Sequence, residues 1–147
     1  MHSPILAPVV ALVAWSLVMM VWMYVVRFPA MRRKGISLKG RVGSKGGDLD
    51  GVVEPDVQWK AHNYNHLMEQ PTLFYAVALS LALMNVGGGF NLWLGWAYVG
   101  FRVAHSLVQA TSNVVRWRFL LFIGGSLVLA ALTLHAGMAL MGLHLHG

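Results

Sequence analysis

The sequence predicts an all-α membrane protein built as a bundle of four transmembrane helices. Hydrophobic residues make up 57% of its 147 positions and charged residues only 11%, a balance far outside the range of soluble globular proteins. Four apolar segments are each long enough to cross a hydrocarbon layer of about 30 Å, which takes roughly 20 residues as a helix. These helices are expected at about 5–26, 59–86, 90–111 and 117–141, within a single domain that covers 1–147.

The first apolar segment, residues 5–26, could be mistaken for a secretory signal. No positively charged region precedes it, and its apolar run is longer than the roughly 7–15 residues of a signal core. We therefore expect a retained span. A polar loop, residues 27–58, follows with a basic part and then an acidic part, and its glycines argue against a rigid helix. The charged side chains are Arg27, Arg32, Arg33, Lys34, Lys39, Arg41 and Lys45, then Asp48, Asp50, Glu54 and Asp56.

The distribution of basic residues predicts the orientation of the bundle. The connection between the second and third spans, NVGGGFN, carries no charge, whereas the connection between the third and fourth carries Arg116 and Arg118. Short basic connections stay in the cytoplasm, so both termini should lie outside. The net charge of +6 is concentrated beside apolar spans, which favours membrane lipids over nucleic acid as the partner. The short uncharged termini, without a retention signal, favour a bacterial inner membrane.

Two of the predicted spans carry a polar stripe, because residues three, four and seven apart share one face of a helix. The stripe on the second span is His62, Asn65, His66 and Glu69, and the stripe on the third is Tyr98, Arg102, His105 and Gln109. At about 1.5 Å per residue, Glu69 and Arg102 both lie roughly 16 Å from the cytoplasmic ends of their helices.

The equal depth of Glu69 and Arg102 predicts an ion pair between them. An isolated charge at that depth costs at least ~2.5 kcal/mol, so pairing inside the bundle is the least costly arrangement. By the same counting, His105 should lie opposite Asn65 and His66, and Gln109 opposite His62. The sequence therefore predicts a continuous polar network between the second and third spans, open toward the cytoplasm.

Such a network has two interpretations. Interhelical hydrogen bonds commonly fix how membrane helices pack, and the network could serve only that purpose. The surplus of donors and acceptors, which also includes Lys60, Asn63, Asn113, Arg116 and Arg118, suits an anionic polar ligand that enters from the cytoplasm. The chain has no cysteine, so a reactive thiol would have to come from that ligand.

Two stretches, KAHNYNHLMEQPTLFYAVALSLAL and YVGFRVAHSLVQATSNVVRWR, resemble the MAPEG superfamily, the membrane-associated proteins in eicosanoid and glutathione metabolism. The resemblance extends from about Gln58 to Phe122. The RVAH of residues 102–105 is similar to the prostaglandin synthase branch, and the asparagine, glutamate and proline at the head of the second span are the wider family mark. The order of the four spans and the basic first loop agree with the family.

The resemblance implies a homotrimer with glutathione bound between neighbouring subunits, in the cytoplasmic half. It implies a glutathione-dependent transferase or peroxidase whose second substrate is a hydrophobic small-molecule electrophile delivered through the bilayer. A thiol with a pKa near 8.5 is only a few per cent ionised at neutral pH, and a nearby guanidinium favours the thiolate. That role falls to Arg118, with Arg116 as the alternative. The implied glutathione-binding residues are Lys60, His62, Asn65, His66, Glu69, Arg102, His105 and Gln109.

The chain also departs from the family pattern. Asn65 and Glu69 are four residues apart where the family has three, and His66 stands at the expected spacing. Lys60 takes the place of an arginine, and Gln109 that of a tyrosine. A non-catalytic lipid-binding or scaffold protein of the same fold is therefore the alternative.

A proline in the second span and three histidines near the C-terminus carry two further predictions. Pro71 should kink the second span just after Glu69. His135, His144 and His146 near the C-terminus have no carboxylate beside them, so no metal site is expected there.

Overall fold

The computed structural model describes residues 2–143, which form five α-helices and one short 3-10 helix. Helix α1 covers Leu6–Arg33, α2 Pro55–Leu67, α3 Gln70–Leu83, α4 Gly89–Ala110 and α5 Val115–Leu140, and the 3-10 helix covers Gly46–Leu49. The predicted all-α fold is confirmed. The four predicted spans correspond to α1, the α2–α3 pair, α4 and α5.

Helix α1 is longer than the sequence predicted. It continues past residue 26 to Arg33 and passes through Pro29, so Arg27, Arg32 and Arg33 lie on the helix rather than in the loop. Basic side chains in a last helical turn interact favourably with the partial negative charge of the helix C-terminus. The connecting loop therefore begins at Lys34, and its 3-10 helix is tied back to α1 by a 2.5 Å hydrogen bond from Arg27 to the carbonyl of Gly46.

The second predicted span is divided into α2 and α3 by a break at Glu69. Helix α2 ends at Leu67, Glu69 has φ −92° and ψ −99°, and α3 begins at Gln70 with Pro71 in its first turn. Proline lacks an N–H and its ring disrupts the preceding turn, while its fixed φ suits a helix start. The break predicted near Pro71 is thus present, and the carbonyl of Glu69 accepts hydrogen bonds from the amide and hydroxyl of Thr72.

Helix α4 lies at the centre of the bundle, where it packs against α5, α2 and α1. Helices α4 and α5 pack tightly at Gly124, where a Cβ would lie 2.5 Å from the ring of Phe101. The buried core includes Leu12, Phe74 and Tyr98, and the rings of Phe74 and Tyr98 stack with their centres 4.4 Å apart. Because α4 contacts all four of the other α-helices, its buried face positions the polar residues described below.

Helices α1 and α5 are long and apolar enough to cross a membrane, and only 22% of the most apolar stretch of each is buried within the chain. Their exposed outer faces carry large apolar side chains such as Val18, Val25, Leu127 and Leu134. Helix α4 is amphipathic and turns its polar face inward, with Arg102, His105, Ser106 and Gln109 all buried.

Candidate functional site

The candidate site is built around Arg102 on α4 and His66 on α2. The Arg102 side chain is 1% exposed. Its Nη2 lies 2.8 Å from Nδ1 of His66, and the same nitrogen makes a longer 3.4 Å hydrogen bond to the His66 carbonyl. The imidazole of His66 stacks on that of His105 at 4.8 Å, and its edge contacts the ring of Phe122 on α5. Three helices therefore meet at this cation.

The predicted ion pair between Glu69 and Arg102 does not form in the part of the chain that the structure describes. Its ion pairs there are those of Glu54 with Arg33 and Lys34 and that of Asp50 with His62. The prediction failed because it extended the helical spacing of α2 through Glu69, whereas the helix ends before that residue. Glu69 is exposed, and Arg102 bonds to His66 instead.

His62 and Gln109, predicted to lie opposite each other, make no hydrogen bond to each other in the described part of the chain. His62 is exposed and lies 3.0 Å from the carboxylate of Asp50, so it holds the loop rather than the interior of the bundle. Gln109 is buried, and its Oε1 has no hydrogen-bond partner among residues 2–143. The proximity predicted for His66 and His105 is confirmed by their stacked rings.

Arg102 retains unused hydrogen-bonding capacity. Its Nε and Nη1 are buried and make no hydrogen bond to the described residues, and no carboxylate there lies within ion-pair distance. A buried charge is normally paired, because removing it from water is costly. The interior of the bundle therefore offers an uncompensated cation with two free N–H groups.

The two candidate thiolate-stabilising arginines differ in their surroundings. Arg118, in the first turn of α5, is partly buried and donates a 2.7 Å hydrogen bond to Oδ1 of Asn113. Asn113 itself sits in the turn between α4 and α5 with φ +52°, a left-handed conformation that asparagine tolerates better than most residues. Arg116 is exposed. The turn thus orients Arg118, whose Nε is also buried and unpaired among the described residues.

The remaining predicted residues do not join this cluster within one chain. Lys60 is buried, donates to the carbonyl of Asp56 at 2.7 Å and lies 5.6 Å from the centre of the Trp22 ring, so it contacts α1. Asn65 is exposed, as is Glu69. One chain therefore brings together His66, Arg102 and His105, whereas the side chains of Lys60, His62, Asn65 and Glu69 make no hydrogen bond or ion pair with those three.

Asn63 is a buried polar residue that the sequence-based stripe missed. Its side chain is fully buried on α2, and neither amide atom has a partner in the described chain. The signal was present in the spacing of Lys60, Asn63 and Leu67, which share one buried face of α2. The polar stripe predicted from the sequence, which begins at His62, lies on the neighbouring face of α2.

A second polar network, also missed, crosses the bundle next to the helix break. The hydroxyl of Tyr98 donates to Oε1 of Gln70 at 3.2 Å, and Nε2 of Gln70 donates to Oγ of Ser126 at 2.8 Å. These bonds link α3, α4 and α5, and they fix the start of α3 directly after Glu69.

The loop is attached to α2 through Asp50. Its Oδ1 accepts hydrogen bonds from Nε2 of Gln58 at 2.6 Å and from His62 at 3.0 Å. The amide of Gln58 holds the pKa of the Asp50 carboxyl below its ordinary value, with further contributions from His62 and the more distant Arg27. The loop thus covers the start of α2, next to the exposed part of the polar stripe.

A model of the MAPEG family matches residues 5–138 of the chain. The chain belongs to the MAPEG family. The matched region contains every helix except the last two residues of α5, and all the polar residues of the candidate site. The resemblance inferred from the sequence is thereby confirmed. No curated protein and no solved structure matches the chain.

Membership in the MAPEG family, together with the apolar outer faces of α1 and α5, makes this an integral membrane protein of the superfamily associated with glutathione and eicosanoid metabolism. Within residues 2–143 no group of three or more His, Cys, Asp or Glu side chains could hold a metal ion. His144 and His146 lie outside the described residues.

Proposed function

We propose that this MAPEG protein is a membrane-bound glutathione-dependent transferase or peroxidase that acts on hydrophobic electrophiles. The observation that carries the proposal is Arg102, a buried cation with two unused N–H groups and no carboxylate partner in the described chain. Glutathione has two carboxylates, and a guanidinium can bind a carboxylate through two parallel hydrogen bonds. An anionic ligand would compensate the charge that the protein leaves unpaired.

Arg118 is proposed to stabilise the thiolate of bound glutathione. Asn113 holds its guanidinium in the first turn of α5. The end of α4 that leads to this turn is about 12 Å along the helix from Arg102. A thiolate beside a guanidinium stays ionised at neutral pH and can attack an electrophilic carbon, displacing the leaving group. In the peroxidase reaction two glutathione molecules reduce one hydroperoxide to an alcohol and water and become a disulfide.

The proposed assembly is a homotrimer in which neighbouring chains complete the site. Asn65 and Glu69 belong to the predicted second span yet are exposed on the single chain. Polar groups facing lipid at that depth are costly, so a protein surface or a bound ligand should cover them. We place the protein in a bacterial inner membrane, with the loop between α1 and α2 in the cytoplasm, where glutathione would enter.

A non-catalytic lipid-binding or scaffold protein is the second candidate. It is favoured by the departures from the family pattern, because Lys60 contacts α1 instead of the site and a lysine does not reproduce the bidentate grip of an arginine. In this alternative, the polar residues would serve helix packing alone.

Glutathione binding to the purified protein, measured by calorimetry, tests the proposal. Saturable binding that weakens in Glu69→Gln is expected. Conjugation of an aryl halide and reduction of an organic hydroperoxide should both fall strongly in Arg118→Ala and persist in Arg116→Ala, the matched control from the same helical turn. No heat at millimolar glutathione, with both activities absent, would instead favour the lipid-binding alternative.

A further inference from the structure

A cavity of about 480 Å³ lies at the opposite end of the bundle from Arg118. It is an open cavity bordered by the turn between α3 and α4, the first turn of α4 and the last turns of α5. Its lining includes Asn85, Val86, Phe90, Asn91, His135 and Met138. The first turn of α4 is about 20 Å along the helix from Arg102, so the cavity is separate from the proposed glutathione site. Its volume falls within the roughly 300–1,000 Å³ of small-molecule sites.

The hydrogen bonds of Asn91 fix the chemical character of His135 in this cavity. Nδ2 of Asn91 donates to the carbonyl of Val86 at 2.9 Å, so its Oδ1 is an acceptor. Nδ1 of His135 lies 2.6 Å from that oxygen and must therefore carry the hydrogen. In a neutral imidazole the other nitrogen, Nε2, is then a hydrogen-bond acceptor, and it makes no hydrogen bond to any residue of the described chain.

The rest of the lining restricts the type of ligand. None of the lining residues is Asp, Glu, Lys or Arg, which disfavours an ionic ligand. Phe90 and His135 form an aromatic wall, with ring centres 5.7 Å apart and planes tilted by 48°, and Val86 and Met138 add apolar surface. Trp93 and Trp96, exposed on the next turns of α4, are typical of the level where lipid head groups meet the hydrocarbon. A ligand at this level needs a small polar head and an apolar body.

We propose that this cavity binds a neutral phenol with an apolar substituent, which enters from the membrane interface and donates its hydroxyl hydrogen to Nε2 of His135. The aromatic ring of the ligand packs against Phe90, and its substituent lies along Met138. This site is independent of glutathione and does not depend on the proposed transferase activity.

The test compares two ligands that differ in a single donor. 4-Hexylphenol and its methyl ether, 4-hexylanisole, are titrated into the detergent-solubilised full-length protein, and binding is followed by ligand-observed NMR. The phenol should bind about 5–10-fold more tightly than the ether, as expected for the net contribution of one neutral hydrogen bond. In His135→Phe this preference should disappear while the ether still binds. Thr133→Val, a neighbouring change on α5 outside the cavity, should leave both affinities unchanged.

A second variant keeps the proposal testable if His135→Phe does not fold. Met138→Trp places a bulky ring at the cavity without replacing His135 and should weaken the binding of both ligands. Equal affinities of the wild-type protein for the phenol and the ether would overturn the proposal, as would a phenol preference that survives in His135→Phe. Absence of saturable phenol binding, or unchanged binding in Met138→Trp, would overturn it as well.

Discussion

Replacement of Arg102 by methionine separates a binding role of this residue from a role in holding the fold. Methionine keeps a flexible unbranched side chain, although a shorter one, and removes the charge. Arg102 is 1% exposed and its side-chain bonds go to one residue, His66. Loss of a charge-assisted hydrogen bond costs about 1.5–3 kcal/mol. Removal of an unpaired charge from the membrane interior stabilises the folded protein by at least ~2.5 kcal/mol.

These two effects nearly cancel, so the free energy of unfolding of the ligand-free variant should differ from that of the wild-type protein by no more than about 1.5 kcal/mol. Ligand-linked stability should respond very differently. Glutathione at 100 times its Kd stabilises a binding protein by about 2.7 kcal/mol, which corresponds to a rise of roughly 5–10 °C in Tm for a chain of this size. Arg102→Met should lose this rise.

Thermal unfolding of the purified protein at a fixed scan rate, followed by tryptophan fluorescence with and without glutathione, measures both quantities. Arg116→Met, which removes an exposed arginine, is the matched control and should keep the ligand-linked rise. A loss of about 3–5 kcal/mol in the ligand-free variant would indicate a broken buried ion pair and a structural role for Arg102. A rise in Tm retained by Arg102→Met would equally refute the reasoning.

Three further perturbations test the packing, the loop and the turn. Gly124→Ala should lower the free energy of unfolding by about 1–3 kcal/mol, because the added Cβ would lie 2.5 Å from the ring of Phe101. Gly100→Ala, where the added Cβ meets open space, is the control and should be neutral or slightly stabilising in the same thermal unfolding experiment. Folding lowers the pKa of the Asp50 carboxyl, so the free energy that its ionised form contributes to loop docking is complete above the ordinary pKa of 3.8 and is lost as pH falls through the lowered folded value. Protease cleavage of the loop should therefore become faster below about pH 4. In Asp50→Asn, cleavage should already be faster at neutral pH. Asn113→Gly keeps the left-handed backbone and removes the hydrogen bond to Arg118, so thiol conjugation should fall while Tm changes little; unchanged conjugation would exclude the positioning role.

Local rules predicted much of the fold. Apolar runs of membrane-spanning length located the helices, and Pro71 located the break in the second span, because a proline disrupts the preceding turn in any surroundings. The end of α1 was misplaced because arginines were assigned to the loop, yet Arg32 and Arg33 suit the last turn of a helix.

The candidate site was predicted less completely. Helical spacing correctly predicted that His105 lies opposite His66, and the structure adds Arg102 as a hydrogen-bond partner of His66. The same spacing failed for Glu69, since a face continues only while the helix does, and for His62, which bonds to a loop residue twelve positions earlier.

The sequence by itself determined the helical membrane character, the family and the set of polar residues that the bundle must accommodate, because composition, length and periodicity act locally along the chain. The tertiary structure alone decided which partners those residues take. Whether Arg102 meets Glu69 or His66, and whether Asn63 is exposed or buried, depends on the rotation of one helix against another. A rotation of one residue moves a side chain by about 100°, and that angle is set by the packing of all the neighbouring helices together.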